Sequence, residues 1–511
     1  MISKVYTAST TGLQVNKIEI ELDTSPGLPC VVVVGLPDKA VQESKERLKS
    51  SLKQSGFEFP EGKLTINLAP ADVAKSGTAY DLPMAVGVLE MMNYINKIPE
   101  DALFLGELSL DGVLRPINGV LTIALKALEL GIKSIYVPSH NALEARLAKG
   151  VEVFAVNDLK QLVDHLNHKS EISPTENIKI EEFSLTLESH LDELEDFDLA
   201  YVKGQEQAKR ALEIAASGGH NTMFIGPPGS GKTLLARSYA SILPKMSDQE
   251  ILEVTQLYSI AGLLPTEGVM FKRPFRSPHH SASHIALVGG GSRIRPGEIS
   301  LAHRGVLFLD EFPEFDRKTI EALRQPLEDG LVSISRASGT LTFPSRFYLL
   351  AAANPTPAGF DPDDKDSLQR PQSKKAILSY QSRFSGPIMD RIDLQVEVAR
   401  VEHDKLQDQE LGETSTSVRL RVQQARDIQT ARFKDTKITC NAEMTLPMIL
   451  KYCVLAEESK KMLKTASEKY KLSARAYMRL LKLSRTIADL AGENDIKLEH
   501  VAESLQYRGK F

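Results

Sequence analysis

Apolar positions along the first ~165 residues fall into short blocks of two different periods. Val31-Val-Val-Val34 is a continuous apolar run that leaves through Gly35-Leu-Pro37, which predicts a buried strand and a turn. From Val41 to Gly56 apolar residues recur at helical spacing, with Lys45, Arg47, Lys49 and Lys53 among the polar positions. Leu64-Thr-Ile-Asn-Leu68 alternates and ends at Pro70, as a half-buried strand does. Leu121 to Gly131 reads as a helix with a glycine stop, and Ile132 to Val137 as the next strand. Strands alternating with helices predict a compact α/β domain over 1–167.

The pattern fades over 168–198. Glu171, Glu176, Glu181, Glu182, Glu188, Asp192, Glu193, Glu195, Asp196 and Asp198 are interleaved there with Ser, Thr and Pro174. This predicts an acidic linker, either a solvated spacer or a strap competing with nucleic acid for a basic channel. A second α/β region follows over 199–400. Thr222-Met-Phe-Ile225, Val306-Leu-Phe-Leu309 and Phe347-Tyr-Leu-Leu-Ala-Ala-Ala353 are unbroken apolar runs, the pattern of parallel strands covered on both faces. Val332 to Phe343 alternates, turns at Ser338-Gly339 and alternates again, predicting a β-hairpin. The tail, 401–511, is polar and helical; Tyr477, Leu480, Leu481, Ile487 and Ala488 form one stripe for a small helical bundle.

Composition narrows the function classes. A chain of 511 residues suggests about three domains, and 42% hydrophobic with 25% charged residues excludes wholesale disorder. Cys30, Cys440 and Cys453 are too far apart for a disulfide framework or zinc module and fit a reducing, cytoplasmic setting. The opening residues lack a signal-peptide core, and no apolar run approaches the ~20 residues that span a bilayer, so no membrane role is expected. With a net charge of −5, any nucleic-acid contact must come from a local basic surface.

The strongest chemical signal is Gly226-Pro-Pro-Gly-Ser-Gly-Lys-Thr233, which follows an apolar strand and precedes helix-forming residues. Gly226, Pro227, Pro228, Gly229, Ser230, Gly231, Lys232 and Thr233 make a full P-loop, whose backbone N–H groups surround phosphate oxygens. Lys232 supplies charge to the β- and γ-phosphates of ATP, and Thr233 a hydroxyl to Mg²⁺. Asp310 and Glu311 end the strand Val306–Leu309, Asp310 suiting the Mg²⁺ shell and Glu311 polarisation of the attacking water. Asn354, at the end of the third apolar strand, suits a sensor of water or γ-phosphate.

P-loop, strand with Asp-Glu, strand with Asn and helical lid, in that order, resemble the AAA+ ATPases. Pro274-Phe-Arg-Ser-Pro-His-His-Ser-Ala-Ser-His284, Leu287-Val-Gly-Gly-Gly-Ser292, Arg295-Pro-Gly-Glu-Ile-Ser-Leu-Ala-His303, Ser382-Arg-Phe-Ser-Gly-Pro-Ile-Met-Asp-Arg-Ile-Asp-Leu394 and Arg475 to Leu490 narrow the resemblance to the magnesium-chelatase-like branch, and within it to the ComM (YifB) family of competence proteins. The resemblance covers nearly the whole chain. It implies a hexameric ring with ATP at subunit boundaries, Arg391 as the arginine finger, Arg475 as sensor 2, and Val202 and Gly204 flanking adenine. It also implies a helicase acting on single-stranded and branched DNA, promoting branch migration during natural transformation, with recombination proteins as further partners. The other class is the ATPase subunit of a metal-chelatase-like or other protein-remodelling complex. The chain lacks the cysteine cluster that many relatives carry after the sensor asparagine.

Leu105 to Gly119 resembles the strand–turn segment of Lon-type proteases, implying a Lon-protease-like (ribosomal S5 domain 2-like) N-terminal fold. Ala79 and Leu121 stand where its catalytic serine and lysine belong, so the domain is expected to be proteolytically inert. For DNA, related ring helicases imply a pore role for the hairpin, with Arg336 near its tip. Lys272, Arg273 and Arg276, interleaved with Phe271 and Phe275, suit single-stranded nucleic acid. His279, His280 and His284 extend that element or invite a metal, although no acidic or thiol ligand nearby completes a set. Arg419, Arg421, Arg426 and Arg432 are either a DNA face or a solvated one.

Overall fold

The computed structural model describes residues 2–73, 75, 77–176, 197–266, 268–291, 294–336, 339–356, 379–380, 383–384, 386–401 and 411–508. Most of the acidic stretch (177–196), the hairpin tip (337–338), the segment after the sensor (357–378), Ser382 and Ser385 lie outside the described residues.

The N-terminal region carries two larger sheets beside the two-stranded ribbon of Glu107–Leu108 and Leu114–Arg115. Ser3–Thr11 pairs antiparallel with Gln14–Ser25, which pairs antiparallel with Lys63–Ala69; Cys30–Val34 adds in parallel at the edge. That edge position corrects the expectation of a buried strand: only Val33 is fully buried, and Val34 is exposed, because no strand flanks them on the outer side. The amphipathic helix is found at Lys39–Gln54, capped by Asp38, and it buries Val41, Leu48 and Leu52. A second helix, Asp81–Met91, went unread in the sequence because apolar residues surround it on all sides and leave no helical period. The second sheet is parallel, ordered Ala102–Phe104, Ser134–Pro138, Glu152–Val156. The expected helix from Leu121 is shorter, Val120–Lys126, followed by a 3₁₀ turn that ends at Gly131.

The central region is a five-stranded parallel sheet in the order Phe275–Arg276, Val306–Leu309, Tyr348–Ala353, Thr222–Ile225, Leu394–Glu397. Every residue of the three central strands is buried, as their unbroken apolar character requires. The hairpin forms as expected from Leu331–Arg336 and Gly339–Pro344. Val332, Ile334, Leu341 and Phe343 share the face turned to the core, while Ser333, Ser335, Thr340 and Thr342 share the other.

Five helices form the C-terminal lid: Ser415–Arg432, Leu446–Tyr452, Glu457–Tyr470, Ala474–Leu490 and Leu498–Gln506. Leu480, Leu481 and Ala488 close the lid's own core, whereas Leu483 and Ile487 pack on the ATPase core with Phe224. The arginines of Ser415–Arg432 form neither a DNA face nor a solvated one. Arg426 is buried and donates to the carbonyls of Ala216 (2.9 Å) and Ser217 (3.2 Å). Arg421 pairs with Glu213 and Glu413, Arg432 pairs with Asp489, and Arg419 reaches the Ser241 carbonyl. A guanidinium taken from water needs such partners, and these ones tie lid to core. Among the described residues no helix is long and apolar enough to cross a membrane.

The N-terminal region packs directly on the core. Leu121 joins an apolar cluster with Val254 and Leu257 of the helix Asp248–Ala261. Beside it, the buried Glu144 carboxylate accepts from Asn141 Nδ2 (2.7 Å), the Leu121 N–H (3.1 Å) and the Ser259 hydroxyl. The turn at Gly12 and Leu13 rests on Leu341 and Phe343 of the hairpin. Burial raises the pKa of Glu144. Stability from this group is therefore present below the ordinary carboxylate pKa and is lost as pH rises through the raised value. Glu144→Ala, which orphans three donors, should cost on the order of 2–4 kcal/mol in chemical denaturation. Glu144→Gln should cost less, and its deficit relative to the parent should shrink as pH rises.

Candidate nucleotide-binding and hydrolysis site

The strand Thr222–Ile225 delivers the P-loop to the carboxyl edge of the sheet, where α/β folds place their ligands. Gly226 must be glycine, since a Cβ there would lie 2.1 Å from the Val398 carbonyl oxygen. Gly229 (φ 76°) and Gly231 (φ 88°) take left-handed backbone and turn the loop into the helix Lys232–Ile242. The Ser230 hydroxyl is buried with no hydrogen-bond partner among the described residues.

Lys232 is 9% exposed, and its ammonium donates to the carbonyls of Gly226 (2.8 Å) and Pro227 (2.9 Å) and to Asn354 Oδ1 (3.3 Å). Burial lowers its pKa against the opposing pull of Asp310 and Glu311. The Thr233 hydroxyl donates to Asp310 Oδ2 (2.8 Å), and Asp310 Oδ1 accepts from the Glu311 N–H (2.9 Å). Three strands thus bring Lys232, Thr233, Asp310 and Asn354 into one hydrogen-bonded set. The buried orphan hydroxyl, the glycine cradle and the Thr–Asp pair fit a nucleotide polyphosphate with Mg²⁺.

Glu311 projects from the same edge with left-handed backbone (φ 50°), strained for a non-glycine residue. Its carboxylate meets His280 Nδ1 at 3.1 Å. His280 in turn stacks near His279 (centroids 4.1 Å apart), and His279 Nδ1 contacts the Ser281 hydroxyl at 2.8 Å. Among the described residues these histidines form no metal cluster. Sequence reasoning placed the histidines with DNA or metal, but the fold places His280 on the Glu311 carboxylate. Tyr380, another residue that sequence reasoning missed, donates its hydroxyl to the Asn354 carbonyl at 3.1 Å, and burial pushes its pKa up to about 12. Val202 is buried and Gly204 is left-handed (φ 60°); the adjoining Gln205 side chain reaches the Ser230 carbonyl at 3.4 Å, so this segment touches the P-loop.

Arg391 and Arg475 are elsewhere. They line a cleft of about 720 Å³ with Asn221, Phe347 and Asp393, residues that precede the strands Thr222–Ile225, Tyr348–Ala353 and Leu394–Glu397. This is the amino edge of the sheet, and a four-residue strand separates the edges by about 13 Å. Arg391 is buried; it donates to the Pro387 carbonyl and to Glu328. Arg475 is exposed and meets the same Glu328 carboxylate at 3.0 Å. The fold brings the two arginines together and keeps both from their own P-loop.

The expected DNA contacts divide. Arg273 is a correction: its side chain is buried, donating to Glu250 (2.7 Å) and to the carbonyls of Pro244, Lys245 and Arg304, so it faces no phosphate. Arg276 is half-buried and held by two bonds to Glu298 (2.6 and 2.7 Å), which occupy the fork a phosphate would need. Lys272 is exposed. Arg336 ends its strand beside Gly339, at the base of the hairpin tip.

Three family models match in succession: subunit ChlI of Mg-chelatase over residues 20–141, magnesium chelatase, subunit ChlI over 198–406, and the ChlI C-terminal model over 412–508. The chain is 41% identical over 507 residues to competence protein ComM of Haemophilus influenzae, covering 99% of this chain and 97% of that protein. It is 41% identical over 506 residues to YifB of Salmonella typhimurium, covering 99% and 96%. It is 40% identical over 513 residues to YifB of Escherichia coli, covering 99% and 97%.

Glu311→Gln should leave nucleotide binding nearly unchanged, since no P-loop contact is altered, while turnover falls by about 100-fold or more. Equilibrium binding of labelled ATP beside steady-state phosphate release checks both halves.

Proposed function

The chain belongs to the ComM/YifB family, within the magnesium-chelatase-like AAA+ ATPases, and from that premise we propose that it is a ring-forming ATP-driven motor on single-stranded and branched DNA. The observation that carries this reading is the division of the sheet. Lys232, Thr233, Asp310, Glu311 and Asn354 stand at one edge, Arg391 and Arg475 at the other. One protomer holds half of a hydrolytic site at each edge, so the halves meet only when protomers stack head to tail. Such a heterologous contact closes into a ring when its rotation divides the circle, and the proposed ring is a hexamer.

In the completed site, Lys232 and the P-loop N–H groups bind and orient the phosphates of ATP. Thr233 and Asp310 would hold Mg²⁺, which when bound neutralises charge on the β- and γ-oxygens. Glu311 takes the proton of the attacking water, and Asn354 orients that water or the γ-phosphate. Arg391 acts as the finger and Arg475 as the lid arginine, both supplied by the neighbour, clamping charge that spreads over the γ-oxygens. Such fingers are worth on the order of 10³–10⁵ in rate in other NTPases.

Two features support DNA as the track. Three residues, 345–347, join the hairpin to the strand Tyr348–Ala353 that runs into Asn354, so a shift at the γ-phosphate has a short path to Arg336. Its outward hydroxyls, paired as Ser333–Thr342 and Ser335–Thr340, suit phosphate oxygens. Arg336, at the hairpin, and the exposed Lys272 are the proposed DNA contacts. The name of the relative ComM associates that protein with competence; branch migration of imported strands in natural transformation, alongside recombination proteins, is the role proposed here. The N-terminal domain, proposed as Lon-like, has no dyad to cleave with, since Ala79 replaces the nucleophile and Leu121 is buried against the core.

Single-stranded or forked DNA should raise ATP turnover severalfold, and binding should weaken steeply between about 50 and 200 mM salt. Turnover that ignores DNA at low salt but responds to a protein partner would return the chain to the remodelling class. Arg391→Ala should bind ATP without hydrolysing it. Mixing it with Lys232→Ala should restore turnover at junctions where the intact P-loop of one variant meets the intact arginine of the other.

A further inference from the structure

The cleft at the amino edge contains more cations than its carboxylates balance. Arg479 pairs with Asp393 at 2.6 Å, and Arg304 and Arg346 meet Glu443 at 3.2 and 3.1 Å, each within a structural ion pair. Arg391 and Arg475 also converge on a single oxygen, Oε1 of Glu328, but unlike Arg304, which has Glu253 as a second counter-charge, neither meets another carboxylate among the described residues. Two positive charges therefore share one negative charge. Arg391 is also short of a hydrogen bond: its Nε is buried with no partner among the described residues. Glu328 approaches from the short helix Arg324–Asp329 with its side chain 42% exposed, whereas the Arg391 side chain is 3% exposed. The carboxylate is far more accessible than Arg391, which the Pro387 carbonyl fixes from behind, and the Arg475 side chain is more exposed than either.

A tetrahedral phosphate carries more charge and more acceptor oxygens than one carboxylate, and it would satisfy both guanidiniums together with the idle Nε–H. We propose that Glu328 is an exchangeable stand-in for the γ-phosphate of the neighbouring protomer's ATP. In the unassembled chain it holds Arg391 and Arg475 side by side. On ring closure the phosphate takes its place and Glu328 turns to solvent. The inference rests on the reading that both arginines act across the subunit boundary, and it adds that assembly must first break an internal ion pair. Glu328 is thus a positioning residue that sets the threshold for assembly; it touches no reacting atom.

The test uses the full chain with Glu328→Gln, which keeps the shape and removes the charge, and with Glu328→Asp, which keeps the charge but shortens the reach by one methylene. Without nucleotide, Glu328→Gln should melt below the parent, because two guanidiniums lose their counter-charge. In a Glu311→Gln background with Mg²⁺ and ATP, the deficit should vanish, since the phosphate now balances the charges. The protein concentration giving half-maximal ATP turnover should fall by roughly 5-fold, the weight expected of a partly exposed ion pair that no longer competes. Glu328→Asp should fall between Glu328→Gln and the parent in both measurements. An equal melting deficit with and without nucleotide, or an unchanged half-maximal concentration, would overturn the inference. If Arg391→Ala and Lys232→Ala still complement on mixing, the trans reading survives that result. Should they fail to complement, the reading falls and the inference goes with it.

Discussion

Five core strands run in the same direction, and that shared polarity governs everything else in the molecule. In a parallel sheet every segment leaving a strand emerges at one edge and every segment entering a strand starts at the other. The P-loop, the Asp310–Glu311 pair and Asn354 all leave strands, so they gather without any long-range signal between them. Arg391 and Asp393 enter one, and the lid helix that begins at Ala474 folds back to the same edge. Neither edge can borrow from the other without unfolding the sheet, so in the proposed ring the phosphates and the arginines are coupled through a second copy of the chain.

Arginine residues carry the same logic into the periphery. Those that sequence spacing offers as a nucleic-acid surface are drawn inward wherever the fold presents a carboxylate or a ring of carbonyls: Arg273 to Glu250, Arg276 to Glu298, Arg426 to the end of the helix Glu206–Gly218. A desolvated guanidinium has five donors to satisfy, and leaving them idle costs more than a surface contact returns. These buried pairs fasten lid, core and connecting segments into a rigid frame. Buried groups with no partner among the described residues include the Ser230 hydroxyl at one edge and the Arg391 Nε–H at the other, and Glu311 stands in left-handed backbone beside His280.

The N-terminal region is part of this frame and no loose appendage. Leu121 enters the ATPase core, Glu144 gathers donors from both sides of the boundary, and the Gly12–Leu13 turn rests on the hairpin that leads to the sensor strand. The N-terminal region thereby keeps contact with the element proposed to grip DNA.

Sequence alone determined the local chemistry: a P-loop between strand and helix, apolar runs that must be central strands, carboxylates and an amide at their ends, and a hairpin by alternation. Each of these is written in residues adjacent along the chain, where periodicity and turn preference act directly. It misjudged Val31–Val34 and passed over Asp81–Met91, since edge exposure and all-round burial depend on neighbours distant in the chain. Which arginines are free, which histidine meets Glu311 and where Arg475 points were decided only by tertiary structure. A charge finds its partner through space, and the partners here lie 31 residues (His280 to Glu311) and 147 residues (Glu328 to Arg475) apart along the chain.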